Sequence, residues 1–171
     1  MKVIGLAGYA GVGKDTVGDW MSKNVTGKFK KMSFAQSLKE CLSPFILNEY
    51  GFDILNCSRE EKERVRDLLV CYAEMRRKED PDYWVKKLEH SIKSSRFSGV
   101  IAIADVRYKN ECEWIQNKLK GEVWLIDREG VNPSNATEKR TIPEVKEVCS
   151  RVIKIPDLKD FNDLSSYIPS I

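Results

Sequence analysis

The stretch Ile4–Trp20, IGLAGYAGVGKDTVGDW, constrains this chain more than any other. An apolar run, Lys2–Ala7, enters a glycine-rich turn, and helical spacing follows from Lys14 to about Asn24 with Val17, Trp20 and Met21 on one side. A buried strand that turns through glycines into a helix sets out a strand–loop–helix unit, and Gly8 to Lys14 fits G-x-x-x-x-G-K. Glycines let successive backbone N–H groups point inward at anionic oxygens, and the helix N-terminus adds about half a positive charge. Gly8, Gly11, Val12 and Gly13 are therefore the expected backbone cradle for nucleotide phosphates, and Lys14 the ammonium on the β- and γ-phosphates.

The position after the lysine usually carries a hydroxyl for Mg²⁺. Here it is Asp15, and Thr16 arrives one place late. A carboxylate beside a triphosphate needs a metal, a bound water or a cationic side chain to face. Two readings stand. Asp15 holds Mg²⁺ through a water while Thr16 caps the α- or β-phosphate, or Asp15 complements the helix dipole. Small-molecule kinases of the adenylate-kinase class also place their hydroxyl second after the lysine, so the pattern points away from a GTPase switch and toward phosphoryl transfer.

The rest of the chain alternates strand and helix. Strands are expected at Phe29–Ala35, Gly99–Asp105, Glu122–Asp127 and 151–155, and helices at Gln36–Leu47 (disturbed at Pro44), from a Ser58/Glu61 capping box to about Arg77, from Asp80-Pro81 to about 95, and at Lys109–Lys120. A second capping box, Thr141 with Glu144, would open a short helix, and Phe161–Tyr167 a last one. This order predicts an α/β fold with a mostly parallel five-stranded sheet flanked by helices, whose ligands bind beyond the carboxyl ends of the strands. At 171 residues the chain suits a single domain. Net charge is +3, too mild by itself to argue for nucleic acid or a membrane surface. Five unpaired-looking cysteines, no apolar span and a short glycine-rich start lead to the expectation of a reducing, cytosolic setting. The lone His90 lies in a charged amphipathic stretch and is assigned no role.

Two further strand ends carry chemistry. In VIAIADVRYKNE the apolar run ends at Asp105, either a carboxylate for Mg²⁺ beside the glycine loop or a cap for the next helix. Arg107 adds a guanidinium fork suited to phosphate. Arg128 follows the strand that ends at Asp127 and is expected to reach over the transferring group from a lid at about 128–140, where Lys139 and Arg140 are either lid residues or solvated charges. Between the second and third strands lie about sixty residues, more than one crossover helix needs, so 36–98 is read as a helical acceptor-binding insert. Arg66 and Arg77, 11 residues apart, return to nearly the same helix face and suit an acceptor phosphate, with Tyr83 or Trp84 free to stack on a base, or else these are solvated arginines and core aromatics.

With these residues in view, the chain resembles the phage deoxynucleoside monophosphate kinase family known from T-even phages and their relatives. The resemblance runs through GKDT at Gly13–Thr16, SFAQSLKE at Ser33–Glu40, Arg66, Arg76 or Arg77, Trp84 and DVRYKNE at Asp105–Glu111. The Arg128 region and Thr137-Glu138 are similar to the family's lid segment, without its histidine and serine. The resemblance implies a P-loop kinase fold and transfer of the γ-phosphoryl of ATP to a deoxynucleoside 5′-monophosphate, in a possible homodimer. It implies Lys14, Arg107 and Arg128 as catalytic groups, and Asp15, Thr16 and Asp105 as Mg²⁺ candidates. Lys39, Arg66, Arg76, Arg77, Trp84, Asp105, Arg107 and Glu111 would be acceptor-binding residues. A related kinase with another acceptor, such as dephospho-coenzyme A, and a nucleotide-binding module without transfer share the same loop.

Overall fold

The computed structural model describes residues 1–155 and 164–169. Along the chain run β1 (Lys2–Ala7), α1 (Lys14–Asn24), β2 (Phe29–Met32), α2 (Phe34–Tyr50), α3 (Arg59–Arg64), α4 (Arg66–Glu79), α5 (Tyr83–Ser95), β3 (Val100–Val106), α6 (Lys109–Asn117), β4 (Glu122–Asp127), α7 (Ala136–Val148) and β5 (Arg151–Lys154). They divide into two compact units, one of Met1–Met32 with Phe97–Ile171 and one of Ser33–Arg96.

The first unit holds the five strands, all parallel, in the order β2-β3-β1-β4-β5. This is the α/β architecture that the strand–helix alternation predicts. The inner strands are apolar on both faces, as strands covered by helices on either side must be. Val3, Ile4, Leu6, Ile101, Ala102 and Ile103 are all buried, and each of the valine, leucine and isoleucine side chains contributes about 1.5–3 kcal/mol. On one face Ile4, Leu6, Trp124, Ile126 and Ile153 pack with Val17 and Met21 of α1. On the other face Gly5 leaves room for α6, since a Cβ there would meet Ile115 Cδ1 at 2.8 Å.

Two irregularities at the carboxyl end of the sheet shape the loops beyond it. Gly5 pairs with Ile103, but Ala7 pairs with Val106, so β3 carries one extra residue near Asp105. Such a bulge re-aims the side chain at the strand end. Gly8 leaves β1 at φ +134, and a Cβ there would stand 2.5 Å from the Ile126 carbonyl oxygen of β4. The glycine is required twice, for its backbone angle and for its approach to β4.

The second unit is helical. Ser33 caps α2 by accepting the Gln36 N–H at 3.0 Å, so Phe34 and Ala35 begin this helix instead of extending β2 as expected. Pro44 removes one backbone donor, but α2 continues to Tyr50 because its Leu42 and Ile46 are buried with Phe52, Ile54, Val65 and Leu69. The helix expected from Ser58 to Arg77 is interrupted at Val65, which leaves helical geometry at φ −112 and ψ 8 and is itself buried in that core. The Ser58/Glu61 capping box is present.

The chain's last third differs from expectation in one more place. Helix α7 begins at Ala136, where the Asn135 side chain accepts the Glu138 N–H at 2.9 Å, and Thr141 donates to the Thr137 carbonyl inside the helix instead of opening it. The polar loop after β4 is thereby shortened to 128–135. Of the helix expected at 161–167, residues 161–163 lie outside the described residues. From 164 to 168 the chain forms turns and bends, with Leu164 and Ile168 buried against the sheet. No helix among the described residues is long and apolar enough to cross a membrane.

Gly8→Ala must strain the backbone and displace the β4 carbonyl, and should destabilise the fold by about 1–3 kcal/mol in denaturant unfolding. Gly11 also has positive φ (+75), but a Cβ there meets open space, so Gly11→Ala should cost distinctly less. Equal losses would show that the loop does not rest on β4.

Candidate active site

The loop between β1 and α1 is held from several sides. Val12 is buried in the sheet's core and its N–H faces the Tyr9 carbonyl at 3.3 Å, which pins the loop's middle. Gly13, at φ 108, precedes α1 in the left-handed region and turns the chain into the helix. The Lys14 ammonium donates to the Gly8 and Tyr9 carbonyls at 2.8 and 2.7 Å, curling back over the loop. From the end of β4, Arg128 donates to the Gly11 carbonyl at 2.8 Å. Arg128, expected on a lid, thus sits directly on the phosphate loop.

Asp105, Arg107 and Glu138 converge on the same place. Burial lowers the Lys14 pKa and the neighbouring Arg107 charge lowers it further, while Glu138, Asp15 and Asp105 pull it up. Two cations and three acids from three different segments therefore share one electrostatic environment. Arg107 Nη2 lies 3.5 Å from Glu138 Oε1. The other oxygen of Glu138 accepts the Ala10 N–H at 3.2 Å, the Ser134 N–H at 3.1 Å and the Ser134 hydroxyl at 3.0 Å. Burial of Glu138 opposes its ionisation, but those donors and Arg107 outweigh it and hold the carboxyl below its ordinary range. Its Oε1 is fully buried with no hydrogen-bond partner among the described residues, an arrangement that costs about 1–3 kcal/mol.

Sequence reasoning places Glu138 only within a lid resemblance. The Asn135–Glu138 spacing carries a capping signal, but a capping pattern does not say that the glutamate turns to the phosphate loop. Glu111, expected at the acceptor, is instead buried and accepts the backbone N–H groups of Arg107 and Tyr108 at 2.8 and 3.1 Å. That bridge closes the turn after β3 and orients the backbone of Arg107, a supporting task in place of the contact expected.

Asp15 has a cationic partner. Its carboxylate accepts from Lys31 of β2 at 2.7 Å, and Asp19 flanks the same ammonium at 3.6 Å. Burial works against the Lys31 charge, yet the Asp15 hydrogen bond and both acid charges outweigh it and raise its pKa. An acid after the loop lysine is thus accommodated by Lys31, a residue that neither reading of the sequence names. Thr16 lies in the first turn of α1.

The remaining candidates belong to the helical unit. Arg76 donates to the Tyr72 hydroxyl at 3.2 Å and to Glu79 at 3.0 Å, with its guanidinium 5.2 and 5.1 Å from the Tyr72 and Tyr83 ring centres. Arg66 and Arg77 lie on α4 as expected, paired with Glu63 at 2.9 Å and Glu74 at 3.3 Å. Trp84 is 2% exposed, with its indole N–H on the Ala73 carbonyl at 3.2 Å and its edge to Tyr72 and Tyr83. It fills the core and offers no open face to a base. Lys39 is half-buried on α2, and His90 is exposed on α5.

For a metal, the described residues contain no cluster of three or more His, Cys, Asp or Glu side chains. Mg²⁺ bound with a nucleotide takes most of its ligands from phosphate and water, with one or two carboxylates from protein. Asp105, at the bulge and within electrostatic reach of Lys14, fits that demand, and Asp15, engaged by Lys31, fits it less well. Asp15→Asn should therefore leave the Mg²⁺ dependence of nucleotide binding unchanged, checked by calorimetric titration at graded Mg²⁺. A tenfold or greater loss of apparent Mg²⁺ affinity would return the metal role to Asp15.

The fold is similar to that of TT1252 from Thermus thermophilus, at 14% identity and TM-score 0.51 over 90% of this chain and 88% of that one. Also similar are shikimate kinase from Bacteroides thetaiotaomicron, at 13% identity and TM-score 0.49 over 97% and 93%, and dephospho-CoA kinase from Campylobacter jejuni, at 16% and 0.49 over 92% and 90%. No curated protein sequence matches the chain. The phosphomevalonate kinase family model matches residues 6–121, more than half of the chain and a span that includes the phosphate loop and the Asp105–Glu111 turn, and the chain belongs to that kinase family.

Proposed function

We propose that this chain transfers the γ-phosphoryl group of MgATP to the phosphate of a small phosphomonoester, and that the acceptor is a deoxynucleoside 5′-monophosphate. The observation that carries the transfer reading is the convergence of Lys14, Arg107 and Arg128 on one glycine loop at the ends of three adjacent strands. Phosphoryl transfer spreads negative charge over the equatorial oxygens, so positioned cations and backbone N–H groups are the catalyst. Lys14 would leave the Gly8 and Tyr9 carbonyls for the donor phosphates, and Arg107 and Arg128 would neutralise the group in transit. Mg²⁺, when bound, supplies further charge neutralisation on the donor phosphates, with Asp105 the residue that would hold it.

The chemistry asks for no general base. An acceptor phosphate, with its second pKa near 6, is largely dianionic at neutral pH and attacks as it stands. A bond forms from an acceptor oxygen to the γ-phosphorus, the bond to the β,γ-bridging oxygen breaks, and ADP leaves with that electron pair.

The deoxynucleotide acceptor is supported by the similarity of GKDT and DVRYKNE to phage deoxynucleoside monophosphate kinases, and by Arg76 held among Tyr72 and Tyr83. A second reading, phosphomevalonate as acceptor, is favoured by the family match. Dephospho-coenzyme A is a third reading of a different kind, since its acceptor is a hydroxyl whose proton a general base would have to take.

ADP formation from MgATP should be measured with dTMP, dGMP, dCMP, dAMP, phosphomevalonate and dephospho-coenzyme A. Turnover is expected with one or more deoxynucleotides, and Lys14→Ala should lower it by about 10²-fold or more. Turnover with phosphomevalonate or dephospho-coenzyme A alone would overturn the acceptor and keep the kinase. ATP binding without any transfer would overturn the kinase.

A further inference from the structure

We propose that Glu138 is a positioning residue for Arg107, holding its guanidinium beside the phosphate loop while leaving its hydrogen-bond donors free for a ligand phosphate. Only the ligand, ATP, is taken from the kinase reading; the geometry is independent of it. The two oxygens of Glu138 are used differently. Oε2 joins Ala10 of the phosphate loop to Ser134 ahead of α7 through three donors at 3.0–3.2 Å. A structural tie would need nothing more. Oε1 is fully buried, makes no hydrogen bond among the described residues, and lies 3.5 Å from Arg107 Nη2.

That distance has a chemical meaning. A bidentate arginine–carboxylate pair closes to about 2.7–2.9 Å and consumes two of the five guanidinium donors. At 3.5 Å the directional bond is lost, but the Coulomb attraction, which falls only as 1/r, is largely kept. The side chain of Arg107 is 39% exposed and that of Glu138 is 0%. A fixed buried anion thus stands behind a partly open cation whose backbone is separately fixed by Glu111. The same anion answers a second problem. Lys14 and Arg107 repel each other at the loop, and Glu138 acts on Lys14 in the opposite sense.

The test is ATP binding by calorimetry to the wild type, Glu138→Gln, Arg107→Ala and the double variant, with melting temperatures recorded for all four. Glutamine keeps a carbonyl for the Ala10 and Ser134 donors, but it removes the charge and turns an amide N–H₂ toward Arg107. Glu138→Gln should weaken ATP binding about tenfold, and the double variant should bind no more weakly than Arg107→Ala to within about twofold. Glu138→Asp, which restores the charge on a shorter stem, should recover part of the affinity. Additive losses would overturn the proposal, as would unchanged affinity with a lowered melting temperature, because both describe a structural tie. If Glu138→Gln does not fold, the cycle of Glu138→Asp with Arg107→Ala decides by the same criterion. Because the readout is binding, a protein that binds ATP with the predicted coupling but phosphorylates no acceptor would sink the kinase reading and leave this one standing. A wild type that does not bind ATP would sink both.

Discussion

Strand β1 lies between β3 and β4, and this pairing decides which segments of the chain can meet the phosphate loop. Parallel strands send all their carboxyl ends to the same edge. The loop after β1 is therefore flanked by the turn after β3, with Asp105 and Arg107, and by the segment after β4, with Arg128. Gly8 makes the arrangement tight, since its missing Cβ lets the loop lie against the Ile126 carbonyl. Beside it, Arg128 donates to the Gly11 carbonyl at 2.8 Å.

The site concentrates positive charge, and the chain offsets it locally. Lys14 rests on two backbone carbonyls, Arg107 faces Glu138, Arg128 rests on a third carbonyl, and Lys31 is bracketed by Asp15 and Asp19. Each cation that the proposed chemistry would use has a partner that can be exchanged for phosphate, because a carbonyl oxygen or a 3.5 Å ion contact is weaker than a charge-assisted bond to an anion. Lys31 differs, being held by a short bond to an exposed acid on the neighbouring helix, and so belongs to the support of the loop's helix.

The helical unit is organised by different forces. Its centre is aliphatic and aromatic, with Leu42, Ile46, Phe52 and Ile54 around Val65, and a second group in which Trp84 packs on Tyr72 and Tyr83 and those two tyrosine rings face Arg76. In the sequence, Trp84 and Arg76 read as neighbours in function. In the structure one is core and the other sits against the aromatic rings with a hydroxyl and a carboxylate for partners.

The sequence by itself determined the sheet-and-helix alternation and the phosphate loop. Both are local: apolar strands such as VIAIAD and the glycine spacing of GYAGVGK fix backbone behaviour within a few residues. Local signals also single out Arg107 and Arg128 as candidates, because each follows an apolar strand end. They misplaced the boundaries at Ser33, Val65 and Asn135, where burial and a side-chain cap outweighed periodicity. Only the tertiary structure decided the partners of the charged groups. Glu138 meets Ala10 across 128 residues, Arg128 meets Gly11 across 117, and Lys31 meets Asp15 because two neighbouring elements converge. A charge at one position carries no local mark of which distant charge it will face; that depends on strand order, which the chain fixes only when its sheet closes.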